Sequence, residues 1–278
     1  MNTNIIIKFS KLKISLFFLP FFLLTAIVLF LYNYHALSVN EYIQIQKDSF
    51  LFINHNWAQY PNLQFNLTQL GDCLILMCFL GIFIAYAPKI WESLLPGLLV
   101  SALFSSSLKN IFKVPRPAAA LDNDSFVIIG KKLTGFNSLP SGHSITVFTI
   151  LAVLLFAFMP PKLKYKIAWS LFIVIAGLVI ASTRVGVGAH YPIDVTTGCI
   201  IGYISGLAGI FISRKYRIFA WVNSKKYYPL FILLLLVFCV VIIDKIIGQH
   251  LIIFYLSLIS LIVSLYKIIS VYVESVKE

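Results

Sequence analysis

The sequence predicts an all-α fold, a polytopic helix bundle embedded in a membrane. Three observations carry that expectation. Of the 278 residues, 60% are hydrophobic and only 12% are charged, where a water-soluble domain carries about 25% charge. Mean hydropathy is +0.92. The apolar residues also gather in long unbroken runs, approaching the roughly 20 residues a helix needs to cross a bilayer. This composition excludes an ordinary cytosolic enzyme, a disordered chain and a nucleic-acid-binding module.

Eight stretches read as spans: 14–32, 70–87, 93–111, 144–160, 167–183, 195–213, 229–247 and 251–270. The first follows Lys8, Lys11 and Lys13 and precedes Ala36-Leu37-Ser38, the outline of a signal peptide. Its length and its internal Pro20 favour an uncleaved helix instead. The third is diluted by Ser101, Ser105, Ser106, Ser107 and Lys109, and polar residues inside a span face the bundle interior. Between 40 and 66, Tyr42, Phe50, Phe52, Trp57, Tyr60 and Phe65 alternate with polar residues. That segment is either an interfacial amphipathic stretch or a loop packed on the bundle. Only Gly248, Gln249 and His250 separate the last two stretches, which therefore form a hairpin or a re-entrant pair. The expected organisation is a six-helix core over 1–228 with an additional hydrophobic hairpin over 229–278. Six spans in total is the smaller alternative. Cys73, Cys78, Cys199 and Cys239 lie in apolar runs without metal-ligand spacing, and read as buried packing residues.

The net charge of +12, from 22 Lys and Arg against 10 Asp and Glu, divides into two populations. Fourteen of the 22 cations fall in the N-terminal segment, at Lys89, in loops 162–166 and 214–226, and at Lys267 and Lys277, which the positive-inside rule places in the cytoplasm with both termini. Lys109, Arg116 and Arg184 fall at the opposite face, at or near span ends, where a charge is costly without a partner.

Three polar clusters share that face. Lys109 to Pro117 follows the third span, Pro140-Ser141-Gly142-His143-Ser144 opens the fourth, and Ser182-Thr183-Arg184 with His190-Tyr191-Pro192-Ile193-Asp194 joins the fifth to the sixth. Each has a bland explanation by itself. Lys109 and Arg116 would snorkel, Ser141 would cap a helix, and Asp194 would favour a helix dipole. Together they describe a phosphate site. A helix N-terminus binds phosphate through its free amides, Gly142 lets an oxyanion approach, and the Ser141 hydroxyl adds a donor. Lys109, Arg116 and Arg184 supply positive charge, each Arg in bidentate geometry. His190 and Asp194 stand at i, i+4, so the carboxylate can orient the imidazole. His190 is then the candidate nucleophile, Asp194 its orienter, and His143 the acid that protonates the leaving oxygen and later activates water. No acidic cluster outlines a magnesium site, so neither metal nor other cofactor is expected.

These stretches resemble the phosphatidic acid phosphatase type 2 superfamily, bacterial membrane lipid phosphatases among its members. The family pattern K-x6-RP, PSGH and SR-x5-H-x3-D is met by Lys109 to Arg116-Pro117, by Pro140 to His143, and by Arg184 to His190 to Asp194. Thr183 stands where the pattern has serine, and the segments after about 228 lie beyond the six-span bundle of bacterial members. The resemblance implies a phosphohistidine at His190, leaving-group protonation by His143, and phosphate binding by Lys109, Arg116, Ser141, Gly142 and Arg184.

The expected partners are membrane lipids and a lipid phosphate or diphosphate substrate such as undecaprenyl diphosphate, phosphatidylglycerol phosphate, phosphatidic acid or lipid A. Nucleic acid is excluded, and no protein partner is legible. The loop from Ala118 to Leu139 is either a cover over the headgroup or an ordinary exposed loop. Rival functions are a lipid phosphotransferase using the same residues, and an inactive anionic-lipid-binding or transport protein.

Overall fold

Proline and left-handed residues set many of the helix boundaries. The structure, a computed structural model, describes residues 1–277. Among these residues the regular structure is entirely helical. The helices are α1 (Asn2–Ser10), α2 (Phe18–Asn33), α3 (Val39–Ala58), α4 (Pro61–Gln69), α5 (Cys73–Leu80), α6 (Phe83–Tyr86) and α7 (Pro88–Phe112). They continue with α8 (Pro117–Ala120), α9 (Gly142–Ala157), α10 (Leu163–Gly186), α11 (Pro192–Lys215), α12 (Tyr228–Gln249) and α13 (Ile252–Lys277). Pro61, Pro88, Pro117 and Pro192 each stand in a first turn, where a missing N–H costs nothing. Lys113 and His250 end α7 and α12 in the left-handed conformation.

Six helical segments are long and apolar enough to cross a membrane: Ile14–Asn33, Pro88–Ala120, Leu163–Gly186, Pro192–Lys215, Lys225–Gln249 and Ile252–Lys277. Large apolar side chains such as Phe18, Phe22, Leu171, Leu233 and Tyr266 are exposed along them, as lipid-facing residues are. The protein is an integral membrane protein. Two of the eight expected spans differ from expectation. The stretch 70–87 is not one helix: α4 and α5 meet at a 69° bend, because Asp72 starts a new helix by accepting from Leu74 N at 3.0 Å. Pro88 then forces Ala87 out of helical geometry, as the residue before a proline tends to be. The stretch 144–160 is α9, 16 residues long, about 24 Å at 1.5 Å per residue. The expected packing role of the cysteines holds for Cys78 and Cys199, which are buried. Cys73, beside the bend, is exposed.

The bundle is centred on α11, whose apolar window is 67% buried against 11% for the first span. Its glycines explain why. A Cβ at Gly198 would stand 2.7 Å from the Ser141 carbonyl, and one at Gly206 would stand 2.5 Å from that of Thr149. Gly202 is pressed as closely on Ile145 O, and Gly209 on Ser93 O of α7. Small residues at this spacing let helix backbones touch in a membrane.

Basic residues collect at the end of the bundle opposite the three clusters. Lys8 Nζ donates to Ala157 O at 3.1 Å, Arg214 to Ser10 and Leu12 carbonyls, and Lys89 Nζ to Ser213 O at 3.1 Å. Lys89 also pairs with Glu92 at 2.9 Å. Lys267 of α13 sits over the Tyr86 ring, 5.3 Å from its centroid. α1, unassigned in the sequence reading, buries Ile5 and Phe9 against this end.

Candidate active site

The site is assembled where α9 and α11 begin. Gly142 and Pro192 open these two helices, and Ser141 N donates to Asp194 O at 3.0 Å, which links the PSGH turn to the first turn of α11. The Leu139–Pro140 peptide that leads into α9 is cis. Ser141 caps α9, its Oγ accepting from Ser144 N at 3.4 Å and from Ser144 Oγ at 2.9 Å. The hydroxyl is thus engaged with its own helix and fully buried. The Thr183 hydroxyl, also buried, turns back to Ile180 O at 2.5 Å.

His190 and Asp194 lie side by side, as the i, i+4 spacing requires. Their Nδ1 and Oδ2 atoms are 3.5 Å apart, with side chains 1% and 0% exposed. Such a buried carboxylate needs donors, and Asp194 has them. Tyr191 N (2.9 Å) and Ser138 Oγ (2.5 Å) donate to Oδ2, and Tyr42 Oη (2.6 Å) donates to Oδ1. Arg116 NH1 lies 3.2 Å from His190 Nε2. A guanidinium has no acceptor, so Nε2 carries the lone pair and Nδ1 the proton. This tautomer aims Nδ1–H at Asp194 Oδ2 and at Ser138 Oγ, 3.4 Å away.

The cations converge on the same imidazole. Arg116 is held by Asn137 Oδ1 (2.7 Å) and Ala189 O (3.1 Å). Arg184, 7% exposed, donates from NH1 to Thr68 Oγ1 at 2.7 Å, and its Nε has no partner. Lys109 Nζ would lie 3.2 Å from a Cβ on Gly142. Burial above all, then the charges of Arg116, Arg184 and Lys109, hold the His190 pKa well below its ordinary value of 6.5. His143 faces Gly71 at the α4–α5 bend, where a Cβ would stand 2.5 Å from its Cδ2. All eight residues singled out from the sequence therefore belong to one neighbourhood. Among the described residues no group of three or more His, Cys, Asp or Glu side chains could hold a metal ion.

Several contributors escaped the sequence reading. One face of α3 presents Tyr42, Gln46, Phe50 and Asn54, all buried, each four residues after the last. Gln46 Oε1 accepts from Ile193 N at 3.0 Å. The Phe50 ring lies 5.1 Å from Phe126 and 5.6 Å from Tyr191. Asn54 accepts from Val127 N at 2.8 Å and donates to the Val127, Val185 and Gly186 carbonyls. The 40–66 segment thus packs on the bundle, and its four-residue polar and aromatic period is the signal that could have found it. The loop 118–139 is neither a simple cover nor a free loop. Phe126 and Ser138 are buried within it, while Lys131, Lys132 and Phe136 stay exposed.

Residues 91–218 match the PAP2 superfamily. This segment of the chain is similar to that family. All three motifs fall inside the PAP2 match, whereas α3, α4 and the hairpin of α12 and α13 fall outside it. Lipid A 1-phosphatase of Rhizobium etli is 31% identical over 151 residues, which are 52% of this chain and 62% of that protein. The chain therefore spans less than two thirds of that relative's length. The bacitracin transport permease protein BcrC of Bacillus licheniformis is 26% identical over 173 residues, 60% of this chain and 80% of that protein. The crystal structure of Aquifex aeolicus LpxE superposes with a TM-score of 0.51 at 25% identity, covering 60% of this chain and 95% of that one.

The His190 environment makes a pH prediction. With the folded pKa depressed, the unfolded chain takes up its proton first as pH falls. Stability from the neutral ring is therefore intact above about pH 6.5 and is lost below it. Ring-nitrogen NMR should find His190 neutral at pH 6.5, protonated on Nδ1 and bare on Nε2. A half-protonated ring at that pH would contradict the assignment.

Proposed function

We propose that the protein is a lipid phosphatase of PAP2 type, cleaving a phosphomonoester or diphosphate on a lipid headgroup through a phosphohistidine at His190. The contact that carries this reading is Arg116 on His190 Nε2. It marks the unprotonated ring nitrogen and puts a guanidinium able to bind phosphate beside it.

In the first step the Nε2 lone pair forms a bond to phosphorus while the bond from phosphorus to the lipid oxygen breaks. That oxygen leaves with a proton from His143. Asp194 holds Nδ1–H and balances the positive charge that grows on the ring. Lys109, Arg116, Arg184 and the first amides of α9 neutralise the phosphoryl oxygens. In the second step His143, now neutral, takes a proton from water as the water attacks phosphorus. The N–P bond breaks and inorganic phosphate leaves, returning both histidines to their starting state. Lipid access is supported by an apolar cavity of about 770 Å³ between α2, α10 and α11. Ile193, next to Asp194, lines it, as do Leu23, Ile27 and Leu178. A hydrocarbon tail would lie there while its phosphate reaches the catalytic residues. The names of the Rhizobium etli and Bacillus licheniformis relatives keep both lipid A and a transport-associated role in view. The buried nucleophile–orienter pair favours catalysis over transport.

The basic end of the bundle supports an orientation with both termini in the cytoplasm and the catalytic end facing outward, in a bacterial inner membrane. Cysteines introduced at Lys131 and Lys164 should then label oppositely with an impermeant thiol reagent in intact cells, with only position 131 reacting. Reaction at 164 alone would invert the scheme.

Two substitutions test the chemistry. His190→Ala should abolish phosphate release from a panel of purified lipid phosphates and diphosphates while leaving expression intact; undiminished turnover would refute the nucleophile. In the same assay, label appearing in a second lipid rather than as free phosphate would make the protein a transferase. Tyr42→Phe keeps the ring and removes one donor to a charged carboxylate, a bond of about 1.5–3 kcal/mol. It should lower kcat by about tenfold or more with KM little changed. An equal loss of folded protein, with kcat retained, would reduce Tyr42 to a packing residue.

A further inference from the structure

Beside the catalytic residues, on the far side of Arg184, lies a smaller cavity of about 190 Å³. It is below the roughly 300–1,000 Å³ of a pocket that holds a whole small molecule, so it suits a single chemical group. Its polar lining is Thr68 and Gln69 of α4, Lys131 of the 118–139 loop, Arg184 of α10 and Gln249 of α12. The lining holds two cations, one hydroxyl and two carboxamides, with no carboxylate. Ala189, which also lines it, is the residue just before His190.

The cavity is built rather than incidental. Arg184 is more than nine-tenths buried, and its Nε has no partner. The two residues before Lys131 are held in place. Ile129 N donates to Val187 O at 3.3 Å, and Gly130 has a φ of +82°, where a Cβ would stand 2.7 Å from the Phe65 ring. Gln249 is positioned through its helix. One turn earlier, Lys245 pairs with Asp72 at 3.5 Å, the residue that caps α5. Gln69, Lys131 and Gln249 all lie outside the three motifs, and Gln249 belongs to the C-terminal hairpin.

We infer that this cavity is a second-phosphate subsite, which binds a phosphate on the substrate other than the one transferred to His190. Arg184 bridges the two positions, and Lys131, Gln69 and Gln249 complete the second. The hairpin is then a specificity element, because it contributes Gln249 to the headgroup wall. The inference rests on the phosphatase reading above. The second phosphate could be the inner one of a lipid diphosphate or one on a neighbouring carbon of the headgroup.

Three substrates with one tail separate these sources: dodecyl monophosphate, dodecyl diphosphate and a vicinal dodecanediol bisphosphate. Purified full-length protein should show a kcat/KM for one or both doubly phosphorylated substrates at least about tenfold above that for the monophosphate. That factor is the size of one charge-assisted hydrogen bond. Whichever is preferred identifies the source. Lys131→Ala and Gln249→Ala should each shrink that ratio, mainly by raising KM for the preferred substrate, whereas Lys164→Ala at the opposite end should not. No preference in the wild type, or a proportional loss on all three substrates, would overturn the subsite. If no substrate releases phosphate, the phosphatase reading fails, and binding still decides the subsite. Inorganic pyrophosphate should raise the thermal midpoint of the wild type more than inorganic phosphate does, and both variants should lose that difference. Equal stabilisation by the two anions would overturn it.

Discussion

The contact on which the rest depends is the backbone-to-backbone seam between α9 and α11. Gly198, Gly202 and Gly206 press against the carbonyls of Ser141, Ile145 and Thr149, with no side chain between them. Such a seam admits little sliding, since interiors pack densely and a displaced backbone has nowhere to go. Its upper end is closed by the bond from Ser141 N to Asp194 O. The two helix starts, one carrying His143 and the other Asp194, therefore stand at a fixed offset. The offset of the candidate catalytic groups is set by helix registry before any polar contact is considered.

A second tier of structure comes from outside the PAP2 segment. α3 contacts the site through four residues on one face, reaching Asp194, the Ile193 amide, the Tyr191 ring and the loop at Val127. α4 supplies Thr68 to Arg184, and the bend after it supplies Gly71 to His143. The C-terminal hairpin packs in turn on α4 and α5, with Ile253 N donating to Asn66 Oδ1 at 3.2 Å. The matched segment carries the candidate catalytic groups, and the flanking helices pack against them.

Much of this was legible in the sequence because the decisive signals are local. The spacing from His190 to Asp194, the PSGH turn and the Lys-to-Arg interval are each shorter than a few helical turns, so residue order carries the geometry. Charge segregation likewise follows from loop composition. What escaped depends on distance along the chain. Tyr42 reaches Asp194 across 152 residues and Asn54 reaches Val185 across 131, and the four-residue period of α3 announces a buried face without naming the partner it meets. The second apolar stretch misled for a different reason. Hydropathy registers that residues 70–87 are apolar, but not that Asp72 caps a new helix inside them or that Pro88 ends the run.

The pairing of Arg116 with His190 Nε2 gives the resting protein a self-masked centre. The lone pair is already spoken for, so a passing electrophile or a neutral lipid headgroup meets an occupied nitrogen. On the proposed mechanism, only an anion able to draw the guanidinium toward itself uncovers Nε2 for attack. Arg116 would then couple recognition to reactivity: the side chain that greets the phosphate would be the one that guards the nitrogen until it arrives.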